Sequence, residues 1–448
     1  MKNLLILIVL SSISIALYQY LPVEKDTAKG LAVLFLIGGL WVSEALPITV
    51  TALAVPLIAV LTGIFDAKDS FKHFANPIIF LFLGGFALAA ALHKQNMDEL
   101  IAKIVLKTSR NNVLVSAIIL FLVTAVISMW ISNTATMAMM LPVALGLLYR
   151  INKIEDNRIN LFILLGLAYS ANIGGIGTIV GSPPNGITAA NLGMNFNDWL
   201  YVGIPSVLIL LPVAVLFLYL WIKPVFLYKE TSDQMSINYS DYFNKNSILV
   251  VVIFFITVFL WLFSKPISGY LQITKSFDSL VAIFALILLC ATRVVNWKEI
   301  EEFTDWGVLL LFGGGIALSA VLSETGASKY LANILFSNLF DFGVLILLLG
   351  GVLLVVFLTE IASNTAIAAI LVPIFYAVGV EIPTLNNSVM PLAVGIAASC
   401  AFMLPVATPP NALVFGTGKV SHKSMIKIGL GLNILCAVLV CLITYLVI

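Results

Sequence analysis

A chain of 448 residues with 61% apolar and only 10% charged side chains cannot cover a water-soluble surface, because soluble domains carry about 45–50% apolar and about 25% charged residues. The net charge is +1, from 23 basic and 22 acidic residues with no basic run, which argues against nucleic acid as a partner. Cys290, Cys400, Cys436 and Cys441 lie in apolar stretches without paired spacing, and His73, His93 and His422 have no second ligand nearby in sequence, so neither a disulfide framework nor a zinc site is indicated.

The composition is that of an all-α polytopic membrane protein. A crossing needs about 20 apolar residues, and eleven spans are predicted, at 4–20, 30–45, 48–64, 76–93, 160–190, 203–222, 246–264, 279–295, 305–323, 389–418 and 428–447. The first ends in Tyr18, Gln19 and Tyr20, an aromatic interface belt with no small-residue cleavage site, and reads as a retained span. Two further stretches, 113–149 and 342–380, are too long for one crossing and carry polar residues in their middles. Each reads as a re-entrant hairpin of two half-length helices, entering and leaving on the same side.

Charge sets the orientation. With the N-terminus in the cytoplasm, sixteen basic residues fall inside: Lys2, Lys94, Lys103, Lys107, Arg110, Arg150, Lys153, Arg158, Lys223, Lys229, Lys245, Arg293, Lys298, Lys419, Lys423 and Lys427. Seven fall outside: Lys25, Lys29, Lys68, Lys72, Lys265, Lys275 and Lys329. This obeys the positive-inside rule, places the protein in the cytoplasmic membrane and leaves the C-terminus outside. The polar segment 223–245, with Glu230, Asp233 and Asp241, reads as a cytoplasmic connector between two halves.

The halves repeat. Ser132-Asn133-Thr134-Ala135 recurs as Ser363-Asn364-Thr365-Ala366 at an offset of 231, which also relates Pro142 to Pro373 and Ser128 to Thr359. Upstream, 82–88 (Phe-Leu-Gly-Gly-Phe-Ala-Leu) resembles 312–318 (Phe-Gly-Gly-Gly-Ile-Ala-Leu); downstream, Pro183-Pro184-Asn185 matches Pro409-Pro410-Asn411. In the predicted topology one hairpin opens to the cytoplasm and the other to the outside, so the repeats are inverted. That arrangement builds alternating-access transporters with a site near the bilayer midplane.

Duplicated Ser, Asn and Thr at hydrocarbon depth need a purpose, since each unpaired polar group there costs several kcal/mol. A broken helix presents free N–H groups at one end, worth about half a positive charge, and free C=O groups at the other. The former attract an anion; the latter, with hydroxyl and amide oxygens, suit a hard cation such as sodium. Asn133 and Asn364 are candidate cation ligands, as are Ser128 and Thr359, each placed one turn before the tip serine; for these two, back-bonding to their own helix is the alternative. The Gly174, Gly175, Gly177 and Gly181 run lacks a following Lys-Ser/Thr and reads as close packing, not a phosphate loop.

The duplicated Ser-Asn-Thr, Gly-Ser-Pro-Pro-Asn at 181–185, Ala-Thr-Pro-Pro-Asn at 407–411 and Trp-Val-Ser-Glu-Ala-Leu-Pro at 41–47 resemble the divalent anion/sodium symporter family of carboxylate transporters, over nearly the whole chain. The resemblance implies a homodimer in the bilayer whose protomers have scaffold parts (1–112 and 201–341, each with its connector) and transport parts (113–200 and 342–448, each with a hairpin and a broken helix) that move substrate by an elevator motion. It implies that Ser132, Asn133, Thr134, Ser182, Pro183, Ser363, Asn364, Thr365, Thr408 and Pro409 hold a di- or tricarboxylate. It also implies one sodium site at Ser128, Ser132, Asn133 and Gly181, and another at Thr359, Ala362, Asn364 and Ala407, with sodium as coupling ion and no other cofactor. No basic residue stands near these positions, which favours sodium symport of a dicarboxylate such as succinate, malate or fumarate over sodium-independent exchange; citrate or sulfate are the alternative cargoes.

Glu44 and Glu360 are the carboxylates nearest the membrane interior, and both read as structural hydrogen-bonding groups, with proton coupling the alternative. Glu360 follows Thr359 directly and so points about 100° away on an ideal helix. A hydrolase is disfavoured because Ser132 and Ser363 have no His or Lys nearby to activate them. A channel is disfavoured because no charged ring or repeated filter sequence is present.

Overall fold

Runs of Leu, Ile, Val, Phe and Ala fold as helices here because lipid offers the backbone no hydrogen-bond partners outside the segment itself. A computed structural model describes residues 2–97, 100, 104, 113–151, 157–226, 242–273, 275–336, 343–382 and 385–447. Lys103, Lys107, Arg110, Lys153, Lys229 and most of the predicted connector, including Glu230, Asp233 and Asp241, lie outside the described residues.

No strand occurs among the described residues. The principal helices are α1 (Lys2–Tyr20), α2 (Lys25–Ser43), α3 (Ile48–Leu61), α4 (Pro77–Lys94), α5 (Val113–Ser128), α6 (Asn133–Ile151), α7 (Asn157–Gly174), α8 (Pro183–Leu192) and α9 (Phe196–Ile222). They continue with α10 (Lys245–Leu262), α11 (Phe277–Ala291), α12 (Trp306–Glu324), α13 (Val344–Leu358), α14 (Asn364–Val380), α15 (Val389–Ala397), α16 (Pro409–Gly416) and α17 (His422–Val447).

Among the described residues, eight helical stretches are long and apolar enough to cross a membrane: α1, α2, α4 with the turn before it, α7 with the turn after it, α9, α10, α12 and α17. The other predicted spans are shorter or broken. Segment 48–64 carries the 14-residue α3 and 279–295 the 15-residue α11. Segment 160–190 divides into α7, two short 3-10 turns and α8, and 389–418 into α15 and α16. The prolines explain where the chain restarts. A proline forces its preceding residue out of the helical region, and Ser182 and Thr408 are both extended; Pro183 and Pro409 then occupy the first helical turn, where a missing N–H costs nothing.

Each segment expected to form a hairpin folds as two helices around a polar tip, but the arms are not half-length. They have 16 and 19 residues in α5 and α6, and 15 and 17 in α13 and α14. At 1.5 Å per residue that is roughly 22–28 Å, against about 30 Å for the hydrocarbon core. The aliphatic runs keep each arm helical up to the residue before, or at, the matched Ser128 and Thr359.

Contacts between the two halves are reciprocal. A Cβ added to Gly84 on α4 would lie 2.5 Å from the Ala282 carbonyl oxygen on α11; one added to Gly314 on α12 would lie 2.7 Å from the Ala52 carbonyl oxygen on α3. Gly84 and Gly314 are 230 residues apart, as are Ala52 and Ala282. Within each half an equivalent indole contact recurs: Trp41 Nε1 donates to Ile48 O at 3.2 Å, and Trp261 Nε1 to Asp278 O at 2.9 Å. Phe82 and its counterpart Phe312 touch each other with ring centroids 4.5 Å apart. Pairs in which i meets j and their counterparts meet in return are the mark of an approximate twofold relation. α7, almost wholly buried, carries the first break into the centre.

Candidate functional site

Four helix N-termini meet at one cavity. Its volume is about 900 Å³, and its wall includes the starts of α6, α8, α14 and α16. Ser132, Asn133, Thr134, Ser182, Pro183, Ser363, Asn364, Thr365, Thr408 and Pro409 all line it, as do Gly181, Ala362 and Ala407. Residues up to 277 positions apart in sequence are thereby brought together. Each N-terminus contributes about half a positive charge through N–H groups that no helical carbonyl satisfies, so this wall favours an anion.

Ser128 and Thr359 are not on the wall. Both are fully buried behind it. Because α5 ends at Ser128 and the chain then turns through 129–132, the tip serine Ser132 does not sit on the same helix face as Ser128, contrary to expectation; α13 ends at Leu358 with the same consequence for Thr359 and Ser363. Neither hydroxyl back-bonds to its own helix. Ser128 Oγ lies 2.7 Å from Asn133 Oδ1 and 2.7 Å from Ala171 O. Thr359 Oγ1 contacts Asn364 Oδ1 in the same way and lies 3.0 Å from Ala398 O. A hydroxyl has one hydrogen and so serves only one of two such oxygens. Each cluster therefore has more acceptors than donors, the condition a small hard cation relieves.

Glycine leaves the room. A Cβ added to Gly181 would lie 2.5 Å from Gly175 O, 2.9 Å from Ser128 O and 3.1 Å from Met129 O, and one added to Gly175 would lie 2.5 Å from Asn133 Oδ1. The space next to Gly181 is thus bounded by carbonyl and amide oxygens. With a sodium ion in this space, as the resemblance implies, Gly181→Ala should raise the sodium concentration for half-maximal uptake in proteoliposomes by about tenfold, a loss of about 1.4 kcal/mol; an unchanged sodium dependence would show that these oxygens hold no ion.

The breaks themselves are held by asparagines. Asn185 Nδ2 donates to Gly175 O at 2.8 Å and Thr178 O at 2.7 Å, and Asn411 Nδ2 to Ala401 O at 3.0 Å and Leu404 O at 3.1 Å. These four carbonyls pair at an offset of 226. The expected structural role of Glu360 is present: Oε1 accepts from Met403 N at 2.8 Å and Asn433 Nδ2 at 2.6 Å, and Oε2 from Leu404 N at 2.7 Å. Glu44 differs from expectation. It sits in the left-handed region at the end of α2 (φ 49°), is exposed, and lines the cavity; among the described residues no hydrogen bond or ion pair engages its carboxylate.

Sequence reasoning did not single out Asn172, Ser399, Tyr169 or Asn433. Tyr169 Oη donates to Phe402 O at 2.8 Å, and Phe402 N to Asn433 Oδ1 at 3.2 Å. Applying the repeat offset to every buried polar position would have found Asn172 and Ser399, which are 227 residues apart. The cavity's ionisable lining residues are Glu44, Glu302 and Asp305, all acidic. Among the described residues no group of three or more His, Cys, Asp or Glu stands together as a metal site.

A family model described as a citrate transporter matches residues 39–393. The chain belongs to that family. The transporter is 46% identical to an uncharacterized transporter of Haemophilus influenzae over 99% of this chain and 97% of the relative, and 41% identical to one of Methanocaldococcus jannaschii over 93% of each. It is 31% identical to the sodium-dependent dicarboxylate transporter SdcS of Staphylococcus saprophyticus, over 93% of this chain and 85% of that one. The crystal structure of the YdaH transporter of Alcanivorax borkumensis shares the fold, with a TM-score of 0.53 and 13% identity over 86% of this chain and 87% of that one. The resemblance to divalent anion/sodium symporters drawn from the motifs is borne out. The protein is a multi-pass membrane transporter, not an enzyme.

Proposed function

We propose that the transporter carries a dicarboxylate of the succinate, malate or fumarate type across the cytoplasmic membrane together with sodium. The observation that carries this reading is the charge of the site. Among the described residues, every ionisable side chain lining the cavity is a carboxylate, and the tips are neutral. Four helix ends alone cannot hold a dianion against Glu44, Glu302 and Asp305; cations entering with it supply the missing positive charge. The acceptor-rich clusters at Ser128 and Thr359 are where such cations belong.

In this reading one sodium is held by Ser128, Ser132, Asn133 and Gly181, and the other by Thr359, Ala362, Asn364 and Ala407. The substrate carboxylates meet the Ser132–Thr134 and Ser363–Thr365 tips, with Ser182, Pro183, Thr408 and Pro409 alongside. The name of the Staphylococcus relative, a sodium-dependent dicarboxylate transporter, agrees with it. With the N-terminus inside, the acidic mouth faces the cytoplasm, so the cavity is inward-open. The two halves then act as inverted repeats: α5–α8 and α13–α16 travel as the transport part against a dimeric scaffold, in an elevator motion.

The test is uptake of labelled succinate, malate, fumarate, citrate and sulfate into proteoliposomes with an inward gradient of sodium or of choline. Accumulation of a dicarboxylate only under the sodium gradient is expected. Equal uptake in choline, or counterflow without sodium, would replace symport with exchange.

A further inference from the structure

Two helix starts on the cavity wall carry matched hydroxyls, Ser182 at the start of α8 and Thr408 at the start of α16, but their hydrogen-bond surroundings differ. Asn411 Nδ2 is committed to Ala401 O and Leu404 O, so its Oδ1 faces the other way, toward Asn172 Nδ2 at 3.3 Å. Asn172 must therefore present its NH₂ on that side, and the second hydrogen goes to Thr408 Oγ1 at 3.1 Å. Thr408 Oγ1 also accepts from Asn411 N at 3.3 Å. A threonine hydroxyl has two lone pairs and one hydrogen. Both lone pairs are filled, and among the described residues no protein acceptor takes the hydrogen.

We infer that buried Asn172, through Thr408, fixes the Thr408 side of the substrate site as a hydrogen-bond donor, and so makes that side demand an acceptor such as a carboxylate oxygen. Asn172 is fully buried and does not line the cavity, so it acts on substrate only by positioning Thr408. Beside Ser182 the relay is broken. The counterpart of Asn172 is Ser399, whose hydroxyl reaches only Ser182 Oγ at 3.4 Å with either atom as donor. Ser182 caps no backbone N–H, and Asn185 Oδ1, the counterpart of the acceptor on Asn411, is buried without a partner. The Ser182 hydroxyl is free to donate or accept. The site thus demands a hydrogen-bond acceptor beside Thr408 and sets a looser requirement beside Ser182. This rests on the proposed anion cargo, and deepens it.

The test uses the full-length protein in proteoliposomes and whichever labelled anion of the panel above the wild type takes up. Asn172→Ser, which copies the other half, should raise KM about tenfold, the weight of one oriented hydrogen bond, with maximal rate and sodium half-saturation within twofold of wild type. Asn172→Asp keeps the shape and turns the Thr408 hydrogen inward, so its KM should rise at least as far. In a double-mutant cycle, Asn172→Ser should add nothing to Thr408→Val. Ser399→Ala should leave KM within threefold. Three results would overturn the inference: an unchanged KM in a folded Asn172 variant, effects that add to Thr408→Val, or an equal rise in Ser399→Ala. If Asn172→Ser does not fold, Asn172→Asp alone decides. A wild type that takes up citrate or sulfate but no dicarboxylate would contradict the proposed cargo and leave the cycle to be read on that anion; one that takes up none overturns both.

Discussion

Asn133→Ala and Asn364→Ala will each abolish sodium-driven uptake while leaving the purified protein folded. Each asparagine begins a helix at a hairpin tip, so it belongs to two sites at once. On the buried side its Oδ1 contacts the hydroxyl of Ser128 or Thr359 inside an acceptor-rich cluster; on the open side the residue lines the cavity. In the proposed reading, alanine removes a cation ligand and a polar contact to the anion together. Hydrogen bonds to charged groups are worth about 1.5–3 kcal/mol, so a loss of about 3 kcal/mol, or roughly 100-fold in transport efficiency, is the minimum expected. Folding should persist, because the hydroxyls left behind keep their second partners, Ala171 O and Ala398 O. Uptake by proteoliposomes and elution on size exclusion check both halves of the expectation. Normal transport by either variant would exclude that residue as an essential ligand.

Glu360→Ala will fail differently, by loss of folded protein. The carboxylate is buried and accepts from Met403 N, Leu404 N and Asn433 Nδ2, which ties the break before α16 to both α17 and the second hairpin tip. Alanine strands all three donors in a dry interior. Breaking a buried charged network of this kind costs about 3–5 kcal/mol, a large share of the 5–15 kcal/mol that holds a typical fold together. Glu360→Gln keeps one acceptor and sets an NH₂ against a backbone N–H, a cost of about 1–3 kcal/mol. The glutamine protein should unfold at lower temperature yet retain the wild-type sodium dependence in the fraction that folds. Thermal unfolding in detergent measures the first effect and uptake against sodium concentration the second. A glutamine variant of full stability whose sodium dependence had vanished would make Glu360 part of the coupling machinery instead.

Much of this was legible in the amino-acid order because the repeat doubles every signal. Ser-Asn-Thr and Pro-Pro-Asn each occur twice at nearly one offset, and both Ser-Asn-Thr tips, with Pro183 and Pro409, line the same cavity. The placement of Ser128 and Thr359 was legible by type but not by geometry: the helix-face argument assumed an unbroken helix, and the polar tips break it. The half-length hairpin arms failed because aliphatic residues on both sides of the tips keep the backbone helical for most of a bilayer's thickness. Glu44 was read as a structural hydrogen-bonding group because it is a carboxylate near the membrane interior, whereas it stands exposed on the cavity wall with a left-handed backbone. Glu360, Asn433, Asn172 and Ser399 had partners 43 to 239 residues away, and single-residue reasoning carries no information about such pairings. Only the offset itself would have connected Asn172 to Ser399.

The central claim is that a cavity with no basic lining side chain binds a dianion because sodium enters with it. Equilibrium binding of labelled succinate to the purified protein across sodium concentrations, at constant ionic strength with choline, tests this without any transport step. Affinity should rise steeply with sodium, with a Hill coefficient approaching two. By linkage, succinate should tighten sodium binding by the same factor. Succinate binding of equal strength in choline would contradict the account.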